Sequence, residues 1–209
     1  PVGYGGYMPL ISVQAIPYDG FYVSGLVNAG LGSNYEVFST LGEGLYFCAG
    51  EVGTVLEIGE DKLQGRYSIA LMNTNTGNDT VDRATRASGN AMAIVAQQQV
   101  AMNTALWSQY LLCANEIGPA EQEFTIGLSL QRCFGREDDG FGIAFGWSKP
   151  SSSSYPGWRD NLQIETYYRL QLTSTWQVTP DFQFLPFPSD PTAPKEPIYS
   201  FALRLMTTF

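Results

Sequence analysis

Apolar and polar residues alternate with a period of two along much of the chain. The C-terminal segment 199–209, YSFALRLMTTF, places an apolar or aromatic residue at nearly every second position between Tyr199 and Phe209. Similar alternation occurs in residues 51–59, 65–73, 122–132, 140–148, 161–172 and 174–185. A period of two is typical of β-strands that have one apolar face. The pattern therefore predicts an all-β chain.

The length and the ends of these segments indicate that the apolar faces contact lipid. A strand of about 9–11 residues crosses a bilayer at a tilt, and aromatic side chains mark the two interfaces. Segment 199–209 has this length and is aromatic at both ends. A run of about 18 apolar residues, which a transmembrane helix would need, is not found. We predict a transmembrane, antiparallel, up-and-down β-barrel region with about eleven strands, the first two near residues 9–15 and 19–28.

The uncharged segment between Arg86 and Glu116 allows two interpretations. Its glutamines, including the run at 97–99, make it too polar for a lipid-facing helix. An amphipathic helix is one alternative. Two strands separated by a turn near Asn103 fit better, because each half then has the length of the neighbouring strands.

Short and long connections alternate between the predicted strands. RCFGREDDG, TST near residue 174 and GEDKLQG are compact and rich in turn-forming residues. TNTGNDTVDRATRASGN, SKPSSSSYPGWRD and PFPSDPTAPKEP are long and polar. Bacterial barrels have short periplasmic turns and longer extracellular loops. We therefore expect the short connections, and the C-terminal Phe209, to lie on the periplasmic side.

The composition argues against several classes of function. The chain of 209 residues contains no histidine, an essential group in Ser-His-Asp hydrolases and most zinc enzymes. Its formal net charge of −9 argues against a nucleic-acid partner. Cys48, Cys113 and Cys133 are too widely spaced for a metal-ligand pattern and are interpreted as packing residues. We predict neither an enzyme nor a bound metal or cofactor.

Several segments, in order along the chain, resemble one family of membrane barrels. PYDGFYVSGLVNAG, AGEVGTVL followed by QGRYSIALMNTNTG, QRCFGREDDGFGIAFG and IETYYRLQLTSTWQVTPDFQFL are similar to landmarks of the bacterial carbohydrate-selective porin family, often called OprB-like. The most specific is GREDDGFG, which resembles the family's Gly-Arg-x-Asp-Asp turn before a glycine-rich strand. The corresponding residues, interpreted as a structural turn and not as a sugar site, are Gly135, Arg136, Asp138, Asp139, Gly140 and Gly142.

The resemblance implies an outer-membrane pore for passive diffusion of sugars and small solutes. It covers only the C-terminal part of a family member, whose barrel has sixteen strands. The chain also begins without Met and without the basic segment of a signal peptide. We therefore expect residues 1–209 to form a single barrel region that lacks its N-terminal strands. The expected partners are sugars, outer-membrane lipids, another copy or another chain, and the barrel-assembly machinery, which would recognise the strand ending at Phe209.

The polar faces of the predicted strands carry candidate residues for the path of a sugar. A neutral polyol needs hydrogen-bonding groups that replace its water and a flat ring against its C–H face. Glu165, Tyr167 and Arg169 share one row that faces the predicted lumen. Further candidates of the same parity are Arg66, Glu123, Asp181, Gln183 and Arg204. Trp158, in the loop YPGWRD, either narrows the pore or lies at the outer interface. Each of these residues could also be ordinary lumen lining without selectivity.

Two other functions remain open from the sequence. A non-conducting barrel would serve as an anchor or assembly partner and would have a plugged lumen. A soluble ligand-binding β-barrel or lectin-like sandwich would turn its apolar faces inward. The soluble alternative is disfavoured because the opposite faces are rich in Gly, Ala and Ser, and because the chain has only three lysines.

Overall fold

The computed structural model describes residues 10–29, 44, 46–77, 87–114 and 117–207, so Phe209 lies outside the described part. The predicted all-β fold with about eleven strands is confirmed. In these ranges no helix has the length and apolarity to cross a membrane. The strands are β1 (Leu10–Tyr18), β2 (Phe21–Ala29), β3 (Tyr46–Ile58), β4 (Leu63–Gly77), β5 (Ala87–Ala101), β6 (Thr104–Cys113), β7 (Ala120–Gln131), β8 (Gly140–Pro150), β9 (Asn161–Gln171), β10 (Trp176–Leu185) and β11 (Ile198–Thr207).

The strands form one antiparallel sheet in which each strand pairs with its neighbours in sequence. Their order in space is their order in the chain, from β1 to β11. Among the described residues, β1 pairs only with β2 and β11 only with β10, so the sheet is not closed. This up-and-down order is that of a barrel wall.

The strand registers keep one face of the sheet apolar across many strands. Residues directly opposite each other on paired strands share a face. One such row, from β7 to β10, consists of Ile126, Phe145, Ile164 and Phe184. We call this side the apolar face and the opposite side the polar face. Large side chains of the apolar face are exposed, and Phe201 on β11 reaches 75%. The predicted assignment of faces therefore holds across the paired strands.

Several small residues of the polar face are buried, in contrast to the large residues of the apolar face. Ser68, Ala91 and Thr179 each lie on the polar face and are at most 8% exposed. Side chains converge on the inner side of a curved sheet, where only small residues and folded-down larger ones fit. This difference is expected when the sheet curves with its polar face inside.

Residues 87–113 form two strands, so the preferred interpretation of this segment is confirmed and the helical alternative is wrong. β5 and β6 are joined by a short turn at Met102–Asn103. The register places Gln98 on the apolar face, directly opposite Gly65. Its side chain is not left unpaired there, because Tyr67 Oη donates to Gln98 Oε1 over 2.6 Å.

The connections at one end of the sheet are mostly shorter than those at the other end, as predicted, but connection 132–139 has eight residues and connection 114–119 only six. The residues between strands at one end are 19–20, 59–62, 102–103, 132–139 and 172–175. At the other end they are 30–45, 78–86, 114–119, 151–160 and 186–197. Two of these longer connections contact each other, because the Arg159 N–H donates to the Ser189 carbonyl over 2.9 Å.

Pro180 lies inside β10 and interrupts pairing on one side only. β10 pairs with β11 along its whole length, whereas its pairs with β9 stop at Val178 and resume at Asp181. Proline has no N–H to donate, so the ladder opens where that donor is missing. The interruption is therefore confined to the seam between β10 and β9.

A charge placed on the apolar face tests the assignment of faces. Ile126 lies near the middle of β7 and is directly opposite Phe145. We expect Ile126→Arg to lower the free energy of unfolding in lipid vesicles by about 2–4 kcal/mol, because the guanidinium would lie in hydrocarbon. Thr125→Arg, on the polar face of the same strand, is the control and should change it by about 0.5 kcal/mol or less. Denaturant unfolding followed by tryptophan fluorescence measures both, and equal losses would contradict the assignment.

Candidate solute path on the polar face

The register brings six of the candidate residues together on three neighbouring strands. They are Glu165, Tyr167 and Arg169 on β9, Asp181 and Gln183 on β10, and Arg204 on β11. Within this set, Glu165 is directly opposite Gln183, and Tyr167 is directly opposite Asp181. All six side chains belong to the polar face. We call these six residues the β9–β11 polar patch.

Protein hydrogen bonds satisfy only part of the β9–β11 polar patch. Gln183 Nε2 donates to Glu165 Oε2 over 3.3 Å. The Glu165 carboxylate also interacts electrostatically with the carboxylate of Asp181 and the guanidinium of Arg204. Arg169 Nε and Asp181 Oδ1 are buried and have no hydrogen-bond partner among the described residues. The patch thus groups hydrogen-bonding side chains of both charges whose pairing with one another is incomplete.

Two glycines on β8 decide how the β9 side chains lie. Tyr167 is directly opposite Gly142, and Arg169 is directly opposite Gly140. A β-carbon at Gly142 would overlap the ring of Tyr167, and one at Gly140 would lie 3.1 Å from an Arg169 terminal nitrogen. Both side chains therefore lie across β8 instead of standing away from the wall.

Arg66 belongs to a second polar cluster, formed by β2, β3 and β4. Its Nε donates to Tyr22 Oη over 3.0 Å, and its Nη2 lies 3.3 Å from Glu51 Oε1. Tyr22 Oη also donates to Glu51, and the guanidinium carbon of Arg66 lies 5.2 Å from the centre of the Tyr22 ring. The sequence pattern did not single out Tyr22. Its position over Gly53, the residue directly opposite, becomes visible only with the register.

Glu123 and Trp158 lie apart from both groups. Glu123 is on the polar face of β7, directly opposite Ser148. Trp158 is in the β8–β9 connection, where its ring packs against Tyr155 with the ring centres 4.6 Å apart. Six of the predicted residues are thus neighbours, whereas Arg66, Glu123 and Trp158 are outside the β9–β11 polar patch.

The β7–β8 connection is held to β9 by the buried carboxylate of Asp139, which is 1% exposed. Arg136 Nε and Tyr168 Oη donate to Asp139 Oδ2 over 2.6 and 2.7 Å. The Gln171 N–H donates to Oδ1 over 2.9 Å. Burial by itself would raise the pKa of Asp139, but the hydrogen bonds from Tyr168, Gln171 and Arg136, together with the Arg136 charge, outweigh it and lower the pKa.

The backbone of the same connection is that of a tight turn. Gly135 has φ +78°, a conformation that favours glycine. Arg132 also has a positive φ of 57°, and its N–H donates to the Asp139 carbonyl over 2.9 Å. Asp138 is exposed, whereas Gly140 is buried. The motif residues from 135 to 140 thus lie in a turn whose polar centre is already occupied by protein groups.

The described residues lack a cluster of potential metal ligands. No group of three or more His, Cys, Asp or Glu side chains among them could hold a metal ion. Cys48, Cys113 and Cys133 are free thiols, and Cys133 is buried.

The fold and its two faces define the class of protein. An up-and-down antiparallel sheet with an apolar outer face and a polar inner face is the wall of a porin-type transmembrane β-barrel. Residues 17–209 match the family model described as carbohydrate-selective porin, OprB family. The chain belongs to this family, and membership implies the bacterial outer membrane.

A solved structure shares the same fold. The high-pH structure of Pseudomonas putida OprB aligns with a TM-score of 0.75 and 15% sequence identity. The alignment covers 96% of this chain and 58% of that chain, so the present chain spans little more than half the length of that porin. No curated protein matches the chain. At this identity the structural match shows the fold.

The Asp139 contacts predict a pH-dependent contribution to stability. The pKa of Asp139 is lowered in the folded chain, so its contribution is complete above the unfolded pKa of about 3.9 and is lost as pH falls through the folded value. Asp139→Asn should therefore lower the denaturant concentration at the unfolding midpoint at neutral pH. At pH 3 the difference in midpoint between this variant and the wild type should be smaller. Denaturant unfolding at the two pH values measures this. Asp138→Asn, at an exposed position, is the control, and a difference for Asp139→Asn that does not change with pH would contradict the assignment.

Proposed function

We propose that this chain forms part of a water-filled outer-membrane channel for passive diffusion of sugars and other small solutes. The observation that carries the proposal is the β9–β11 polar patch, which groups carboxylate, guanidinium, amide and phenol side chains on the polar face of an apolar-coated wall. The family description, a carbohydrate-selective porin, supports the same solute class. A porin family indicates a channel and not an enzyme.

The chemistry of the β9–β11 polar patch suits a neutral polyol. A sugar that enters a pore must exchange water for protein hydrogen bonds. Glu165 and Asp181 accept, Arg169 and Arg204 donate, and Gln183 can do both. The two carboxylates and the two guanidiniums have no net charge together, so the patch offers strong hydrogen bonds without a strong preference for one sign of ion.

We further propose that residues 1–209 form a single region of a larger, sixteen-stranded barrel. The described strands leave one side of β1 and one side of β11 unpaired. Unpaired backbone groups are costly in a bilayer, so both edges require additional strands. These strands would come from the rest of the polypeptide or from a partner, either another chain or a second copy of this one.

The proposed orientation rests on the connections, which are mostly shorter at one end of the sheet than at the other. The short ones, including the turn with Gly135 and Asp139, would face the periplasm. The end of β11, followed by Phe209, would then lie on the periplasmic side, where the barrel-assembly machinery would recognise it. Outer-membrane lipids would cover the apolar face. An aromatic contact near the long connections, with the Phe184 and Tyr199 rings 5.2 Å apart, supports an interface at that end.

Single-channel conductance of the complete native polypeptide in a planar bilayer tests the proposal. We expect ion conductance that falls in a saturable manner when glucose or a short oligosaccharide is added. Conductance without sugar block would indicate a general diffusion pore. Silence from protein shown to be folded and inserted would indicate a plugged or structural barrel, and folding without detergent or lipid would indicate a soluble β-protein.

Arg169 provides a test of the proposed path. Arg169→Ala removes a donor and a positive charge from the β9–β11 polar patch, so we expect several-fold weaker sugar block and a shift of ion preference towards cations. Conductance and reversal potential in a salt gradient measure the two effects. Lys195→Ala removes the same charge from an exposed connection and is the control. Unchanged block in the Arg169 variant would remove this residue from the path.

A further inference from the structure

The apolar face of β1–β4 contains a depression above two glycines. Gly25 on β2 and Gly50 on β3 are directly opposite each other, and the row continues to Val13 on β1 and Leu71 on β4. A β-carbon at Gly25 would come no closer than 3.8 Å to another group, and one at Gly50 no closer than 4.0 Å. The open space above them has a volume of about 590 Å³. We call it the Gly25–Gly50 groove.

The lining of the Gly25–Gly50 groove is apolar except at one corner. The apolar-face residues that line it are Ile11, Val13, Gly25, Val27, Cys48, Gly50, Leu71, Asn73 and Asn90. Asn73 on β4 is directly opposite both Cys48 and Asn90. It follows Leu71 in the direction of the long connection 78–86, so the two amides lie at the end of the groove nearer the long connections.

A second apolar depression lies beside the groove on the side of the short connections. Its volume is about 390 Å³. The apolar-face residues that line it are Phe21, Val52, Thr54, Tyr67, Ile69, Ile94 and Ala96. Val52 is two residues along β3 from Gly50, and Ile69 is two residues along β4 from Leu71. The two depressions therefore follow each other along the strands, with polar amides at the outer end.

A comparison within the chain separates these two glycines from a third one on the apolar face. Gly65 is directly opposite Gln98, and a β-carbon at Gly65 would overlap the Gln98 amide. The protein itself thus uses the space that Gly65 leaves. Neither Gly25 nor Gly50 has a positive φ, and no side chain of the described residues occupies the space above them. Glycine weakens the interior of a strand and often marks the close approach of another group, which here must come from outside the described chain.

The position of the groove identifies its occupant as a lipid. The groove is continuous with the apolar face, which contacts hydrocarbon in the outer membrane. An empty depression in this wall would forfeit dispersion contacts on its lining, and a flexible acyl chain can fill it. Polar groups at the outer end alone match an amphiphile whose head group lies at the outer interface.

The two asparagines indicate the chemistry of that head group. Asn73 Nδ2 donates to Asn90 Oδ1 over 2.7 Å and to the Gly89 carbonyl over 3.3 Å. Among the described residues, Asn73 Oδ1 and Asn90 Nδ2 make no hydrogen bond, and Asn90 is exposed. Such an acceptor and donor suit hydroxyl and amide groups, whereas a phosphate favours Arg or Lys. No described residue that lines the groove is Arg or Lys.

We propose that the Gly25–Gly50 groove holds an acyl chain of an outer-leaflet glycolipid, whose uncharged sugar or amide groups hydrogen-bond to Asn73 and Asn90. This inference rests on the proposed orientation of the barrel and does not depend on which solute passes through the channel. The bound lipid fills a shaped groove and is hydrogen-bonded at its head group. It should therefore stay bound when the surrounding bilayer lipid is removed.

Lipid retention after detergent extraction tests the site. The full native polypeptide is folded in vesicles of phosphatidylethanolamine and lipid A, an acylated disaccharide, then extracted with mild detergent and weighed by native mass spectrometry. We expect the wild type to retain a single lipid A molecule. Gly50→Leu fills the groove and should lower this occupancy about tenfold. Ile143→Phe, which enlarges a side chain of the apolar face on β8, is the matched control and should behave as the wild type.

Asn90→Leu separates the head-group contact from the groove. It removes an amide at an exposed position and leaves the groove open, so we expect a several-fold lower occupancy of lipid A. Where Gly50→Leu does not fold, this variant decides, and unchanged retention of lipid A would contradict the proposal. Retention of phosphatidylethanolamine in place of lipid A would overturn the assignment of a glycolipid.

The remaining outcomes separate this inference from the sugar-channel proposal. Equal retention of lipid A by the wild type, Gly50→Leu and Ile143→Phe would overturn the lipid site. A lipid-free dimer of the wild type that Gly50→Leu disrupts would also overturn it and would assign the groove to a second copy of the chain. Sugar block of conductance is measured on the same proteins. Retained lipid A without conductance or sugar block would overturn the channel proposal and leave the lipid site standing.

Discussion

Backbone pairing between neighbouring strands is the constraint on which the rest of this structure depends. A wall that crosses a bilayer cannot leave N–H and C=O groups unpaired in hydrocarbon, so every strand must keep register with both neighbours. Side-chain direction alternates along a strand, and the register therefore also decides which residues meet lipid. The row of Ile126, Phe145 and Ile164 comes from three separate segments and forms one apolar band. A slip of one residue in any of them would turn its apolar side chains towards the polar face.

Glycine on the polar face controls the space inside that wall. A large side chain there either stands into the lumen or lies down along the sheet, and it can lie down only where the opposite residue has no β-carbon. Tyr22, Trp107 and Tyr167 all meet this condition. Tyr22 differs from Tyr167 because Arg66 covers it with a charge and a hydrogen bond, so that Tyr22 is buried whereas Tyr167 is exposed. Glycine placement thus influences both the width of the path and the faces that a solute meets.

Much of this architecture could be predicted because its signal is local. The period of two identified most strands and their apolar faces, and turn-forming residues located several connections, whereas the turn near Asn103 was predicted from the lengths of the two flanking segments. Three neighbouring positions of one strand, Glu165, Tyr167 and Arg169, could be grouped for the same reason. Trp107 was not singled out, because its position over Gly127 depends on the pairing with another strand. The one-sided effect of Pro180 could not be predicted for the same reason. Only the pairing shows which neighbouring strand loses a hydrogen bond because proline has no N–H.

Alternation within each segment was therefore enough to establish most of the strands and their two faces. It could not establish which residues of different strands become neighbours. That choice depends on backbone hydrogen bonds, connection lengths and irregular pairs such as the break at Pro180, which act between segments and leave no period in any one of them. The pairs of Glu165 with Gln183 and of Trp107 with Gly127 exist only in the folded sheet. Because a solute is held by side chains from several strands at once, the polar path is a property of the register and not of any single strand.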